Sequence, residues 1–176
     1  MSIQQKGYIQ VYTGNGKGKT TAALGISLRA VCAGKKVFFG QFVKGMKYSE
    51  LEAANMLPNF EMEQFGRDSF VIGNPKEEDL KLAEEGLKRI ECIVTNGDYC
   101  YDIVVLDEVN IAMHFGILNI DRVVDILQRK NPEIEIILTG RYAPDKIIEI
   151  ADLVTEMKEI KHYYKNGVAA RVGIEK

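Results

Sequence analysis

Residues 13–21, Thr13-Gly14-Asn15-Gly16-Lys17-Gly18-Lys19-Thr20-Thr21, put three glycines, two lysines and three threonines into nine positions between a β-rich run and a helical pattern. Glycines let a backbone turn successive N–H groups inward around an anion. A helix starting at Lys19 adds the partial positive charge of its N-terminus, and Lys19 itself adds a full one. Thr20 stands where a hydroxyl coordinates Mg²⁺ in phosphate-binding loops. The candidate anion-binding set is therefore Gly14, Asn15, Gly16, Lys17, Gly18, Lys19, Thr20 and Thr21, with Lys19 expected to be solvent-accessible before a ligand arrives. The strict pattern G-x-x-x-x-G-K-[ST] calls for glycine at position 13, which is Thr here; the glycine comes one place later.

Asp107-Glu108 follows the apolar run Ile103-Val104-Val105-Leu106. Carboxylates at the carboxyl end of a parallel strand face the crevice where ligands bind, so the pair is read as metal or nucleotide machinery. Two arginines are further candidates. Arg29 lies ten residues after Lys19 on the same helix, where it either reaches a phosphate or makes a surface ion pair. Arg141 follows Leu138-Thr139-Gly140 at the end of another strand, with Gly140 permitting close backbone approach. His114 and His162 are read as structural or solvent-facing, and Lys44-Gly45-Met46-Lys47 as a connecting loop.

The elements that must position these residues alternate β-rich runs with helical patterns, which predicts an α/β fold with a mostly parallel central sheet. Strands are expected at Tyr8–Tyr12, Val37–Val43, Phe60–Phe65, Tyr101–Leu106, Ile134–Leu138 and Leu153–Met157. A helix is expected over Lys19–Ala33, with Ala22, Ala23, Ile26 and Ala30 on one face and Gly34 ending it. Asn74-Pro75-Lys76-Glu77 reads as a helix start with Asn as cap. From there Leu80, Ala83, Leu87, Ile90 and Val94 form an apolar stripe up to Asn96-Gly97, and such a stripe is a core face. Asp145–Ala151 reads as a short helix.

The whole chain, 176 residues, corresponds to one domain at about 150 residues per domain. With 23 basic and 25 acidic residues the net charge is −2, which argues against a polybasic nucleic-acid or membrane-surface binder. Its longest run free of charged residues, Val109 to Ile120, is too short to span a bilayer, and the first residues lack a secretory apolar core, so a cytoplasmic protein is expected. Cys32, Cys92 and Cys100 form no CxxC pair, and with two histidines the inventory builds no zinc site of ordinary spacing.

The segment from Thr13 to Ala23 resembles the phosphate loop of the ATP:corrinoid adenosyltransferases of cobalamin biosynthesis, in the form with a RecA-like fold; that family departs from the strict pattern in the same way. The resemblance continues through Gly40-Gln41-Phe42-Val43-Lys44-Gly45 and Val104-Val105-Leu106-Asp107-Glu108. It resumes at Leu138-Thr139-Gly140-Arg141, at Lys161-His162 and at Gly167 to Glu175, so it spans nearly the whole chain. It implies transfer of the 5′-deoxyadenosyl group of ATP to the cobalt of a reduced corrinoid (a cob(I)alamin or cob(I)yrinic acid a,c-diamide), with release of tripolyphosphate. It also implies ATP bound with its phosphate chain reversed, and Mg²⁺ or Mn²⁺ held through Thr20 and Glu108, which with Lys19 makes Glu108 a catalytic candidate. A homodimer and a flavoprotein reductant are further implications, with no nucleic-acid or membrane partner. Many members carry a Gly-Phe-Thr-Trp stretch whose aromatics press on the corrinoid's lower face. This chain has no Trp, and Phe70 is the natural stand-in. The alternatives are a small-molecule kinase, against which seven singly scattered arginines argue, and an ATP-dependent switch.

Overall fold

The computed structural model describes residues 6–68, 74–96 and 100–176; Phe70 lies outside them. Among the described residues six strands alternate with helices: β1 (Ile9–Thr13), α1 (Lys19–Cys32), β2 (Val37–Phe42), α2 (Ala53–Met56), β3 (Phe60–Phe65), α3 (Glu77–Thr95), β4 (Ile103–Asp107), α4 (Val109–His114), α5 (Ile120–Arg129), β5 (Glu135–Thr139), α6 (Asp145–Ile150) and β6 (Leu153–Glu156). The strands form one sheet in the order β3-β2-β4-β5-β1-β6, and every pairing is parallel. This is the α/β arrangement with a parallel sheet expected from the alternation, and it agrees with the RecA-like fold that the family resemblance implies. Because all strands run the same way, Thr13, Phe42, Asp107 and Thr139 end on one edge of the sheet.

Strand alternation divides the core between the two faces of the sheet. Phe38, Val104, Leu106 and Ile136 pack with Leu87 and Ile90 of α3 and with Val123 and Ile126 of α5. Phe39, Val105 and Ile137 face the other way, onto Ala23, Ala30 and Val31 of α1. Phe38 and Phe39 are both fully buried, each contributing roughly 1.5–3 kcal/mol of apolar burial. The sheet is thus clamped on both faces, and its carboxyl edge is held rigidly for whatever binds there.

Some local expectations change. The start of α3 is displaced from Asn74: the helix begins at Glu77, with Lys76 as its cap. Asp79 supplies the reason. Its carboxylate accepts the Lys76 N–H at 2.9 Å and a two-pronged bond from Arg67, Nε at 2.6 Å and Nη2 at 2.9 Å. A buried carboxylate at the third helical position, pinned by a distant arginine, outweighs the local cap signal of Asn74 and Pro75. Leu80 is the exception in the stripe, being exposed, whereas Ala83, Leu87, Ile90 and Val94 are buried. The pattern reading also passed over α4 and α5. The start of α5 is signalled by Asn119, whose side-chain oxygen accepts the Arg122 N–H at 3.1 Å. Among the described residues no helix is long and apolar enough to cross a membrane.

Candidate active site

β1 ends in the glycine-rich loop, and the shifted glycine has a structural cause. Thr13 still belongs to β1, in register with Glu156, and its hydroxyl accepts the Ala143 N–H at 3.2 Å. The turn therefore begins at Gly14, with φ +97°, where an added Cβ would lie 2.6 Å from the Met157 carbonyl oxygen. Gly16 donates its N–H to the same oxygen at 2.6 Å, so the loop is seated against the backbone that follows β6. Gly18, with φ +116°, precedes α1, which has neither a side-chain cap nor an acidic residue in its first turn. The amides there are left to a ligand, and the helix end is attractive to an anion.

Lys19 corrects the expectation of a solvent-accessible lysine. It is 7% exposed, and its ammonium donates to the Gly14 carbonyl at 2.8 Å and the Gly16 carbonyl at 2.7 Å. It braces the loop from inside. Burial pushes its pKa down and Arg141 adds to that, while Glu108 and Asp107 oppose it.

The acidic pair separates into two roles. Asp107 is fully buried, and its carboxylate accepts four hydrogen bonds. Oδ1 receives Thr20 Oγ1 at 2.8 Å and Thr139 Oγ1 at 2.6 Å; Oδ2 receives Lys44 Nζ at 2.8 Å and Gln41 Nε2 at 3.1 Å. Both oxygens are saturated by protein donors. Glu108, next in the chain, takes a left-handed backbone with φ +59° at the start of α4, held there by its N–H donating to Thr139 Oγ1 at 3.0 Å. Its carboxyl group faces the cavity instead. Burial and the neighbouring Asp107 raise its pKa, against the pull of Lys44, Lys19 and Arg141. Lys44 balances the pair: burial lowers its pKa, yet the carboxylates of Asp107 and Glu108 raise it further than burial depresses it.

Lys19, Thr20, Lys44 and Glu108 line one cavity of about 680 Å³, a volume within the range of nucleotide-sized sites. Of the sequence-derived candidates, Gly16, Lys17, Gly18, Lys19, Thr20, Thr21, Glu108 and Arg141 line it. Asn15 faces an adjoining polar pocket that shares Arg141. Gly14 contributes through its carbonyl bond to Lys19. Arg29 is not brought to the site: it is exposed in the last turn of α1, ten residues or about 15 Å of helix from Lys19. Apolar walls come from Leu24, Val43, Ile111 and Phe115.

The motif reading left out two contributors, Lys44 and Gln41. Lys44, taken for part of a connecting loop, contacts Asp107. His162 has the structural role expected of it, accepting the Tyr164 N–H on Nδ1 at 3.1 Å as the cap of the turn at Tyr163–Asn166, and it also lines the cavity. Gln41 donates to Asp107 from inside β2. The signal available for Lys44 and Gln41 was their place at the carboxyl end of a strand, the same signal that singled out Asp107 and Arg141. Ser49 also lines the cavity and donates to the Lys176 carbonyl at 3.0 Å. The three cysteines are free and exposed, and none lines the cavity.

A family model described as ATP:corrinoid adenosyltransferase BtuR/CobO/CobP matches residues 5–175. The chain is 35% identical to the corrinoid adenosyltransferase of Pseudomonas aeruginosa, over 97% of its own length and 84% of the relative's. It is 35% identical to the corrinoid adenosyltransferase of Escherichia coli K12, over 97% and 86%. Identity to the corrinoid adenosyltransferase CobA of Salmonella typhimurium is 33%, over 98% and 87%.

Proposed function

Because the chain belongs to the ATP:corrinoid adenosyltransferase family, we propose that it transfers the 5′-deoxyadenosyl group of ATP to the Co(I) centre of a reduced corrinoid and releases tripolyphosphate. The observation that carries this reading is the composition of the cavity. It has a strongly charged polyphosphate end, whereas the Ser49 hydroxyl donates to a backbone carbonyl and Nδ1 of His162 accepts a backbone N–H. Co(I) is itself a strong nucleophile, so the reaction asks for no activated serine or general base. The cobalt electron pair forms the cobalt–carbon bond at C5′. The C5′–oxygen bond breaks, and its electrons leave with the triphosphate.

The protein's tasks are then alignment and charge stabilisation of the departing chain. In this reading the amides of residues 14–21 and the Lys19 ammonium hold the polyphosphate, with Lys17 and Arg141 adding charge at the mouth; Arg29 takes no part. The donor set fits a Mg²⁺ or Mn²⁺ ion. Asp107 is saturated, Glu108 lines the cavity, and Thr20, whose O–H donates a hydrogen bond to Asp107, keeps its oxygen lone pairs for a cation. Mg²⁺ sites beside phosphates use one or two protein oxygens and water, and among the described residues there is no group of three His, Cys, Asp or Glu that would form an all-protein cage. When bound, the ion neutralises polyphosphate charge. In this reading Phe70 stands in for the aromatics that many family members press on the corrinoid's lower face, and the resemblance adds a homodimer and a flavoprotein reductant; a cytoplasmic setting is part of the same proposal.

The test follows the phosphates. With ATP labelled at the γ position and a Co(I) corrinoid, ³¹P NMR should show tripolyphosphate growing in step with a light-sensitive cobalt–carbon product and no stoichiometric ADP. Label passing to orthophosphate alongside ADP, or to an organic acceptor, would instead support the kinase reading. Separately, Glu108→Gln should raise the Mg²⁺ concentration for half-maximal activity by about tenfold or more, as loss of an anionic oxygen does at a hard-cation site. An unchanged Mg²⁺ dependence removes Glu108 from the metal's surroundings.

A further inference from the structure

Residues 163–176 fold back over the loop. Lys17 donates through Nζ to Glu175 Oε1 at 2.7 Å, to the Tyr163 hydroxyl at 2.9 Å and to the Ile174 carbonyl at 3.3 Å. Glu175 also accepts from Arg171, by its N–H at 2.9 Å, Nε at 3.2 Å and Nη2 at 3.0 Å, and from the Tyr163 hydroxyl. Lys17 Nζ and Arg171 Cζ lie 5.6 Å and 5.2 Å from the Tyr163 ring centroid. On the far side, Ser49 fastens the Lys176 carbonyl, so Gly173, Ile174, Glu175 and Lys176 form part of the cavity wall. The Glu175 side chain is only 16% exposed.

Two cations thus converge on one carboxylate at the place where the loop presents its charge. A polyphosphate carries more negative charge and more acceptor oxygens than a carboxylate, and it would compete for the same ammonium. Both anions cannot share Lys17 without like-charge repulsion. We propose that Glu175 is a positioning residue acting through Lys17: its carboxylate fills the anion place on Lys17 in the nucleotide-free protein and is exchanged for the polyphosphate when that chain enters. The exchange breaks the tie between Lys17 and Glu175, while Arg171, four residues away on the same segment, keeps its bonds to Glu175, so the segment that walls the cavity is released from the loop as the substrate's charge is taken up. The hydrogen bonds from Arg171 and Lys17 hold the Glu175 carboxyl well below the usual carboxylate range, so this counter-ion persists across ordinary pH. The proposal rests on the phosphate-loop reading above.

The probe is inorganic tripolyphosphate, titrated calorimetrically at fixed ionic strength into the wild-type chain and Glu175→Gln. Glutamine keeps the shape and an acceptor but removes the competing charge, so binding should tighten about threefold or more, the scale of a partly exposed ion pair. A side chain that merely built the wall would give weaker or equal binding on substitution, and that result, in a variant with an unchanged melting curve, overturns the proposal. Hydrogen exchange on the wild-type protein supplies an independent reading that needs no variant. Added tripolyphosphate should speed exchange in residues 163–176 while slowing it in residues 14–21; protection of both segments overturns the exchange. If the wild-type chain does not bind tripolyphosphate, the phosphate-loop reading itself falls, and the role of Glu175 with it.

Discussion

Lys19→Ala should lower kcat/KM by about 10²–10³-fold, the scale for removing one preorganised charge-stabilising donor from a water-poor site. The structure enlarges the expected effect beyond a lost phosphate contact. The ammonium that would meet the polyphosphate also ties the Gly14 and Gly16 carbonyls together, so the alanine variant loses the brace that shapes the loop. Tripolyphosphate affinity should fall with activity, while the melting temperature moves little, since the core faces of the sheet are untouched. Lys19→Arg separates the two roles: it keeps the charge but cannot fit its larger planar head between the two carbonyls. Full activity and unchanged polyphosphate affinity in Lys19→Ala would refute the assignment of the loop.

Asp107→Ala should cost stability as well as activity. Four donors lose their acceptor at once, and Lys44, whose side chain is 16% exposed, is left as an unpaired, largely buried cation. Breaking such a pair from one side costs about 3–5 kcal/mol, which corresponds to a fall of about 10 °C in melting temperature for a domain of this size. Removing the cation too, in Asp107→Ala/Lys44→Met, should restore part of the loss, because the uncompensated charge is gone. Denaturant unfolding of the two single variants and the double variant measures the coupling. Additive losses would mean that Lys44 and Asp107 do not act as a pair.

The candidate site was readable wherever its chemistry lies close together in the chain. Residues 14–21 announce an anion site because the glycines, the lysine and the helix start are contiguous, and the cradle is made largely from their own backbone. β4 and the Ile136-Ile137-Leu138 core of β5 were visible because strands buried on both faces need unbroken apolar runs. The cap of α3 was not, since Asn74-Pro75 obeys the local rule, whereas Asp79 caps the helix at Lys76 and is itself pinned by the distant Arg67.

The amino-acid sequence by itself determined the α/β alternation, the phosphate-type loop, the acid-bearing strand and the family. Each is written in short-range pattern or in motif order. Tertiary structure alone decided which of two adjacent acids is saturated and which lines the cavity, because the four donors around Asp107 come from three other segments and Thr139 also holds the backbone at Glu108. It also decided between Arg29 and Arg141, equivalent as residue types but held at opposite ends of their elements' reach to the loop. And it brought Lys44 to Asp107 across 63 residues, and Glu175 to Lys17 across 158. Contacts at that separation are set by how parallel strands stack their carboxyl ends on one edge of a sheet, a constraint no local window of residues contains.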